Sequence, residues 1–229
     1  FIKQSYIEFY NNKNSSAHLI YNVYPSRKLK TFHLDVKNAK SKAASLYCPD
    51  DKTLFRLVDF HFKKFYGYIL SQYDGFFLHA SAINAGNAAY IFTGTIGAGK
   101  STAHKLLPQY KKLADDTTII RELNKQYYVF GSPFHDTNKP NCKNIHVPIS
   151  GVFLLRKSKS NRVENVAREE AIKKIIMNIY TCKFTTKMNY ELLTNLWKTC
   201  YNFCGQTSIN TLYFKKDPSF WDIIRKHHD

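Results

Sequence analysis

Cysteine is scarce and poorly placed for cross-linking. Cys48, Cys142, Cys182, Cys200 and Cys204 are odd in number and scattered, and no Cys-x-x-Cys pair occurs. That argues against a disulfide scaffold or a zinc ribbon and for a reducing compartment, so cytoplasm is the expected location. No apolar run approaches the ~20 residues of a membrane-spanning helix, and no membrane partner is expected. The first residues, Phe1-Ile2-Lys3-Gln4, lack both an initiator Met and the apolar stretch of a signal peptide, so the chain is expected to be a fragment of a soluble protein. Acidic residues are few: 17 Asp and Glu stand against 34 Lys and Arg, a net charge of +17. Arginine is also sparse, confined to Arg27, Arg56, Arg121, Arg156, Arg162, Arg168 and Arg225. The positive charge is therefore almost all lysine, in pairs from end to end: Lys63-Lys64, Lys111-Lys112, Lys173-Lys174, Lys215-Lys216. A dedicated nucleic-acid face clusters its charge and uses the planar arginine fork. The lysine excess is accordingly read as a solvated surface, without a specific nucleic-acid partner.

The 229 residues, 44% hydrophobic and 22% charged, suit one domain or one plus a small appendage, with a core that needs no staples. Ser5–Tyr10 and Ala17–Val23 alternate like antiparallel strands around an Asn/Ser turn at 11–16. From Asp51 to about Gln72 the apolar period becomes helical, and Asp50 or Asp51 is placed to cap that helix. Phe76–Ile83 and Ala88–Thr93 flank an Asn/Gly turn and read as a hairpin. A helix over 102–107 should stop at Pro108. Strands are expected at Tyr127–Phe130, Gly151–Leu155 and Thr211–Phe214, mostly helix over 165–204, and a last helix from Asp217-Pro218. These elements make a mixed α/β fold. Its expected organisation is N-terminal strands and a helix over 1–74, packed on a core formed by 75–229.

The segment Gly94-Thr95-Ile96-Gly97-Ala98-Gly99-Lys100-Ser101-Thr102 matches G-x-x-x-x-G-K-[ST] in full, with a strand running in and a helix running out. Glycines let successive backbone N–H groups turn inward around phosphate oxygens, where a Cβ would obstruct them. The start of the following helix favours an anion. Lys100 would reach the β- and γ-phosphates, and the Ser101 hydroxyl would ligate Mg²⁺. The expected nucleotide contacts are Gly94, Ile96, Gly97, Ala98, Gly99, Lys100, Ser101 and Thr102. Soon afterwards comes Ala114-Asp115-Asp116, leaving room for only one short helix and a brief return strand. Two adjacent carboxylates beside a triphosphate can divide the work: one bears on Mg²⁺, the other accepts a proton from an attacking hydroxyl.

The order His79-Ala80-Ser81-Ala82, hairpin, Gly94–Thr102, short helix, Ala114-Asp115-Asp116 resembles the HPr kinase/phosphorylase superfamily, in particular its short HPr-kinase-like serine kinases. Val129-Phe130-Gly131-Ser132-Pro133-Phe134-His135, Val147–Leu155 and the ending Leu212–Trp221 are similar too, so the resemblance covers roughly 75–225. It implies a mixed-sheet P-loop kinase core of the type shared with ATP-dependent phosphoenolpyruvate carboxykinases, here with an N-terminal antiparallel strand region. It also implies transfer of the ATP γ-phosphate to a serine-type hydroxyl. Carried over, Asp115 is the implied catalytic base and Asp116, with Ser101, the metal-side partner; the reverse assignment stays open. His79 is implied near the phosphates. The Arg-Gly-x-Gly-Ile signature is missing between Pro133 and Gly151, so neither HPr as substrate nor phosphorylase activity is implied.

The remaining polar residues admit two readings each. His79 is a core histidine or a phosphate or acceptor contact. His135 and His146 flank a loop that closes over an acceptor or is plain surface. Arg121 and Arg156 neutralise transition-state charge or are structural ion-pair partners. Cys200 and Cys204, one helical turn apart, are read as core packing. The expected activity is Mg²⁺- and ATP-dependent phosphoryl transfer to a peptide, protein or small metabolite, with Lys100, Asp115 and His79 as catalytic residues. A nucleotide-dependent ATPase or switch, and an RNA-directed kinase or binder, are the alternatives.

Overall fold

In the computed structural model the described residues are 20–25, 31–37, 44–47, positions 56, 59, 60, 63, 66 and 67, and then 69–134, 144–180 and 190–228. The chain divides into two compact units, one of Asn11–Lys63 and one of Phe1–Tyr10 with Lys64–Asp229. In the first, β1 (Ile20–Pro25), β2 (Thr31–Lys37) and β3 (Ala44–Tyr47) form an antiparallel sheet in that order, with Ile20 opposite Lys37 and Thr31 opposite Tyr47. The expected strand Ser5–Tyr10, its turn and the cap at Asp50 or Asp51 lie outside the described residues. The described positions between 56 and 71 are helical, as their apolar period requires.

The larger unit is built on an eight-stranded mixed sheet. Its strands are β4 (Gly75–Ala85), β5 (Ala88–Thr93), β6 (Lys111–Ala114), β7 (Thr117–Leu123), β8 (Gln126–Phe130), β9 (His146–Lys157), β10 (Arg162–Asn165) and β11 (Ile209–Phe214). The order is β10-β11-β9-β5-β4-β7-β8, with β6 paired to β4 and β8 returning to pair with β9. β5, β9 and β11 run parallel, and the other pairings are antiparallel. Two hairpins close on two-residue turns whose central residues all have positive φ: Gly86-Asn87 (63° and 65°) and Asn124-Lys125 (50° and 64°). That is the handedness a tight antiparallel turn demands.

Both faces of the sheet are covered, so its central strands read as apolar runs rather than alternating ones. Phe76, Leu78, Ala80 and Ala82 of β4 face one core, shared with α2 (Arg168–Asn178) and α3 (Tyr190–Gln206) through Ile172, Ile175, Cys200, Phe203 and Cys204. Ile83, Phe92, Phe153, Leu212 and Phe214 face a second core with α1 (Lys100–Lys105) and α4 (Phe220–His228), through Ala103, Phe220, Trp221 and Ile224. The Trp221 indole donates to the Tyr110 hydroxyl at 2.8 Å, which satisfies its polar edge.

Three sequence expectations shift. Residues 162–165 form edge strand β10, so the mostly helical stretch starts at Arg168 rather than 165 and holds α2 and α3. The helix after the glycine loop starts at Lys100. The last helix starts at Phe220, because Asp217 Oδ1 accepts from the Ser219 N–H at 3.0 Å and holds 217–219 as its entry turn. Among the described residues no helix is long and apolar enough to cross a membrane.

Candidate functional site

The glycine loop leaves the sheet at the end of β5. Thr93, the last residue of that strand, is buried, and its hydroxyl donates to the His79 carbonyl at 3.0 Å, locking β5 to β4. The chain then turns through Gly97 (φ 77°) and Gly99 (φ 108°), backbone that L side chains rarely adopt. A Cβ on Gly99 would lie 3.0 Å from the Phe214 ring, whereas one on Gly97 would meet nothing within 4 Å. Gly99 is therefore fixed by packing, and Gly97 faces open space. Ile96 at the tip is 94% exposed and Ala98 is buried. Ser101 is exposed and Thr102 half-buried in the first turn of α1.

Lys100 does not extend into solvent. Its Nζ donates to the carbonyls of Gly94 (2.9 Å) and Thr95 (3.2 Å), spanning the loop from within. Burial pulls its pKa below the ordinary lysine value, and the negative charge of Asp116 opposes that pull. Its own carbonyl accepts from the buried Ser81 hydroxyl on β4 at 2.8 Å, so the start of α1 is pinned to the sheet.

The acidic pair reaches the same place by register. Along one edge, β4 pairs first with β7 (Gly75 opposite Arg121, His79 opposite Thr117) and then with β6 (Ala82 opposite Ala114). Asp115 and Asp116 occupy the hand-over, where the Ala80 N–H donates to the Asp116 carbonyl at 3.0 Å. On the other edge Ala80 is opposite Thr93. Two strand spacings, roughly 10 Å, thus separate Asp116 from the start of the loop.

The two carboxylates differ in their surroundings. Asp116 Oδ1 lies 3.1 Å from His79 Nδ1, and its Oδ2 accepts from Thr117 (3.3 Å) and from the Tyr180 hydroxyl (3.4 Å). Asp115 Oδ2 pairs with Lys112 Nζ at 3.3 Å, while its Oδ1 is buried with no hydrogen-bond partner. Within the field of Asp115 and Lys112, His104 on α1 also carries a buried, unpartnered Nδ1. Burial drives its pKa from 6.5 down to about 4; Lys112 adds to the shift and Asp115 opposes it. His104 is neutral near pH 7.

The structure thus brings together the loop, Lys100, Ser101, His79, Asp115 and Asp116 at one end of the sheet. It does not bring Arg121 there. That side chain donates to the Tyr73 carbonyl at 3.1 Å and lies 5.3 Å over the Tyr73 ring, four strand positions from His79. Arg156 stands next to Leu155, whose carbonyl borders Gly94, and its guanidinium pairs with Glu170 at 3.4 Å. His146 stacks on Phe130 (5.3 Å); His135 lies outside the described residues. Cys200 and Cys204 are buried in the α3 core. Among the described residues no group of three or more His, Cys, Asp or Glu is arranged to hold a metal ion alone. Sequence reasoning missed Ser81, His104, Thr117 and Tyr180. Ser81 sits in the quoted His79–Ala82 run but carries no motif of its own, and Tyr180 lies 64 residues from its partner Asp116.

No known protein-family profile matches the chain, and no curated protein matches it. Among solved structures, the HPr(Ser) kinase/phosphatase from Coxiella burnetii is similar over 66% of this chain and 89% of that one, at 11% identity and a TM-score of 0.38. That is a distant structural relationship.

Proposed function

We propose that the protein is a Mg²⁺-dependent phosphotransferase that binds ATP at the Gly94–Thr102 loop and passes the γ-phosphoryl group to a hydroxyl acceptor. The observation that carries this reading is the meeting of a complete phosphate-loop motif with an Asp-Asp pair across β4, at the same end of the sheet, although the two are separate in sequence. The residues present fit the substrate and its metal. The loop leaves open space over Gly97, Ser101 offers an exposed hydroxyl, and a buried carboxylate oxygen of Asp115 lacks a partner. Because α1 has only six residues, anion binding is assigned to the loop amides rather than to a helix dipole. Mg²⁺ usually takes one or two carboxylates together with substrate phosphates, so a ligand set of Ser101 and Asp116 suffices. Bound there, Mg²⁺ would neutralise charge on the β- and γ-phosphates.

The remaining chemistry belongs to the chain. Lys100 exchanges its two carbonyl partners for phosphate oxygens. Asp116, whose charge is already felt at Lys100, faces the phosphate side, and His79 holds its Oδ1. Asp115 Oδ1, buried and unsatisfied, is the natural acceptor for the proton of an incoming hydroxyl. As the acceptor oxygen bonds to the γ-phosphorus, the bond from that phosphorus to the β,γ-bridging oxygen breaks. ADP leaves with the electron pair, and the hydroxyl proton passes to Asp115.

Calorimetry with ATP or ADP in the presence of Mg²⁺ tests the reading, followed by γ-labelled ATP incubated with a cell extract. Binding and a labelled acceptor are the expected results, and a folded protein that binds no nucleotide would overturn it. Sustained ATP hydrolysis with no labelled product would favour a nucleotide-dependent switch instead.

A further inference from the structure

The Tyr180 side chain has no place in the motif chemistry, yet it reaches Asp116 of the acidic pair. α2 ends at Ile179, which is buried in the core and forms an isolated antiparallel bridge with Leu78. The Tyr180 N–H then donates to the Phe77 carbonyl at 2.9 Å. These contacts fix the residue on the edge of β4 that β5 occupies further along, beyond Thr93, where the glycine loop departs. From there the ring packs edge-on against His79, with centroids 5.8 Å apart and planes at 65°. The hydroxyl crosses β4 to Asp116 Oδ2 at 3.4 Å. Asp116 comes from the opposite edge of the same strand, so Tyr180 and Asp116 meet over His79.

Resting on the reading above, we infer that Tyr180 is a positioning residue for the Asp116 carboxylate. His79 holds one oxygen, and Thr117 and Tyr180 hold the other. Partners on both oxygens favour one carboxylate orientation; His79 on β4 and Thr117 on β7 come from the sheet, whereas Tyr180 is brought in from the end of α2. A tyrosine kept only for packing would need its ring and not its hydroxyl. The 3.4 Å separation is long for a phenol–carboxylate bond and leaves room to tighten. Outer partners of a carboxylate that bears on a metal typically contribute about 10-fold or more to metal affinity or activity.

The test is Tyr180→Phe in the full chain, which keeps the ring, the backbone bridge and the contact with His79. In the nucleotide-free protein, long-range ¹H–¹⁵N spectra of the histidine rings, with His79 assigned through His79→Gln, should show its Nδ1 resonance displaced. In basal Mg-ATP hydrolysis, with water as acceptor, the Mg²⁺ concentration for half-maximal rate should rise by about 10-fold. The rate at saturating Mg²⁺ should stay within about 3-fold and the thermal midpoint should be unchanged. Wild-type Mg²⁺ dependence with an unmoved His79 signal would overturn the inference. So would a loss of rate that tracks a loss of stability, the mark of a packing role alone. Failure of the wild type to bind nucleotide would refute the kinase reading and leave the nucleotide-free spectrum to judge Tyr180 separately.

Discussion

A methyl group added at Gly99 and one added at Gly97 should act on different properties. Both residues have positive φ, so alanine at either costs about 1–2 kcal/mol of backbone strain. At Gly99 the new Cβ would also lie 3.0 and 3.2 Å from two carbons of the Phe214 ring. Phe214 is 5% exposed and packed edge-on against Phe220 at 5.1 Å, so it cannot yield without disturbing the second core. Overpacking of that kind adds about 1–3 kcal/mol, for roughly 3 kcal/mol in all. In a chain of this size that lowers the thermal midpoint by roughly 6–12 °C. Gly97→Ala meets no atom within 4 Å, so only the strain remains, about 1–2 kcal/mol and roughly 2–8 °C. Its methyl would project into the space where the phosphate chain is proposed to lie, so Mg-ADP affinity should fall at least ~10-fold, with a smaller loss of stability than in Gly99→Ala. Thermal and urea denaturation of the two variants, with calorimetry of Mg-ADP, separate the effects. Equal destabilisation by the two variants, or full nucleotide affinity in Gly97→Ala, would refute this division of labour.

Lys100→Ala should weaken nucleotide binding and phosphoryl transfer together, since the ammonium would touch phosphates in ground and transition states alike; calorimetry and initial rates check it. Asp115→Asn should keep nucleotide affinity within a few-fold and lower transfer by ~100-fold or more, and near-normal transfer with loss in Asp116→Asn would exchange the two roles. His104, with its pKa near 4 in the folded state against 6.5 ordinarily, contributes stability that is present above pH 6.5 and lost as pH falls through 4. Urea midpoints at pH 7 and pH 4 should therefore differ less in His104→Gln than in the wild type; an equal difference would show that His104 is not held neutral. RNA should bind only weakly at ~150 mM salt, without sequence preference and with a smooth fall as salt rises, whereas one nanomolar RNA ligand would refute the solvated-surface reading of the lysines.

The local chemistry of the chain was legible residue by residue. Gly86-Asn87 marks a hairpin because few other pairs tolerate two positive φ values, and the structure closes β4 on β5 there. The loop could be read from Gly94 to Thr102 because its glycines and Lys-Ser answer a local steric demand. The second hairpin is not marked in the sequence: Asn124-Lys125 adopts the same turn without a glycine, and the first half of the strand it follows, Thr117–Ile120, is buried on both faces and so lacks an alternating pattern.

Assembly is what the linear pattern could not supply. Which strand edge carries Asp115 and Asp116 depends on β4 passing from β7 to β6, a register set by packing on both faces of the sheet. The different surroundings of the two aspartates follow from that register, since neighbouring residues at a hand-over project to different partners, Lys112 for one and His79 for the other. Tyr180 reaches Asp116 because α2 ends against the edge of β4 beyond the reach of β5. The sequence alone determined the local conformations, because φ/ψ preference and hydrophobic period act within a few residues. The tertiary structure decided the neighbours, because hydrogen bonds and charges act through space on whatever the closed sheet brings within a few ångströms.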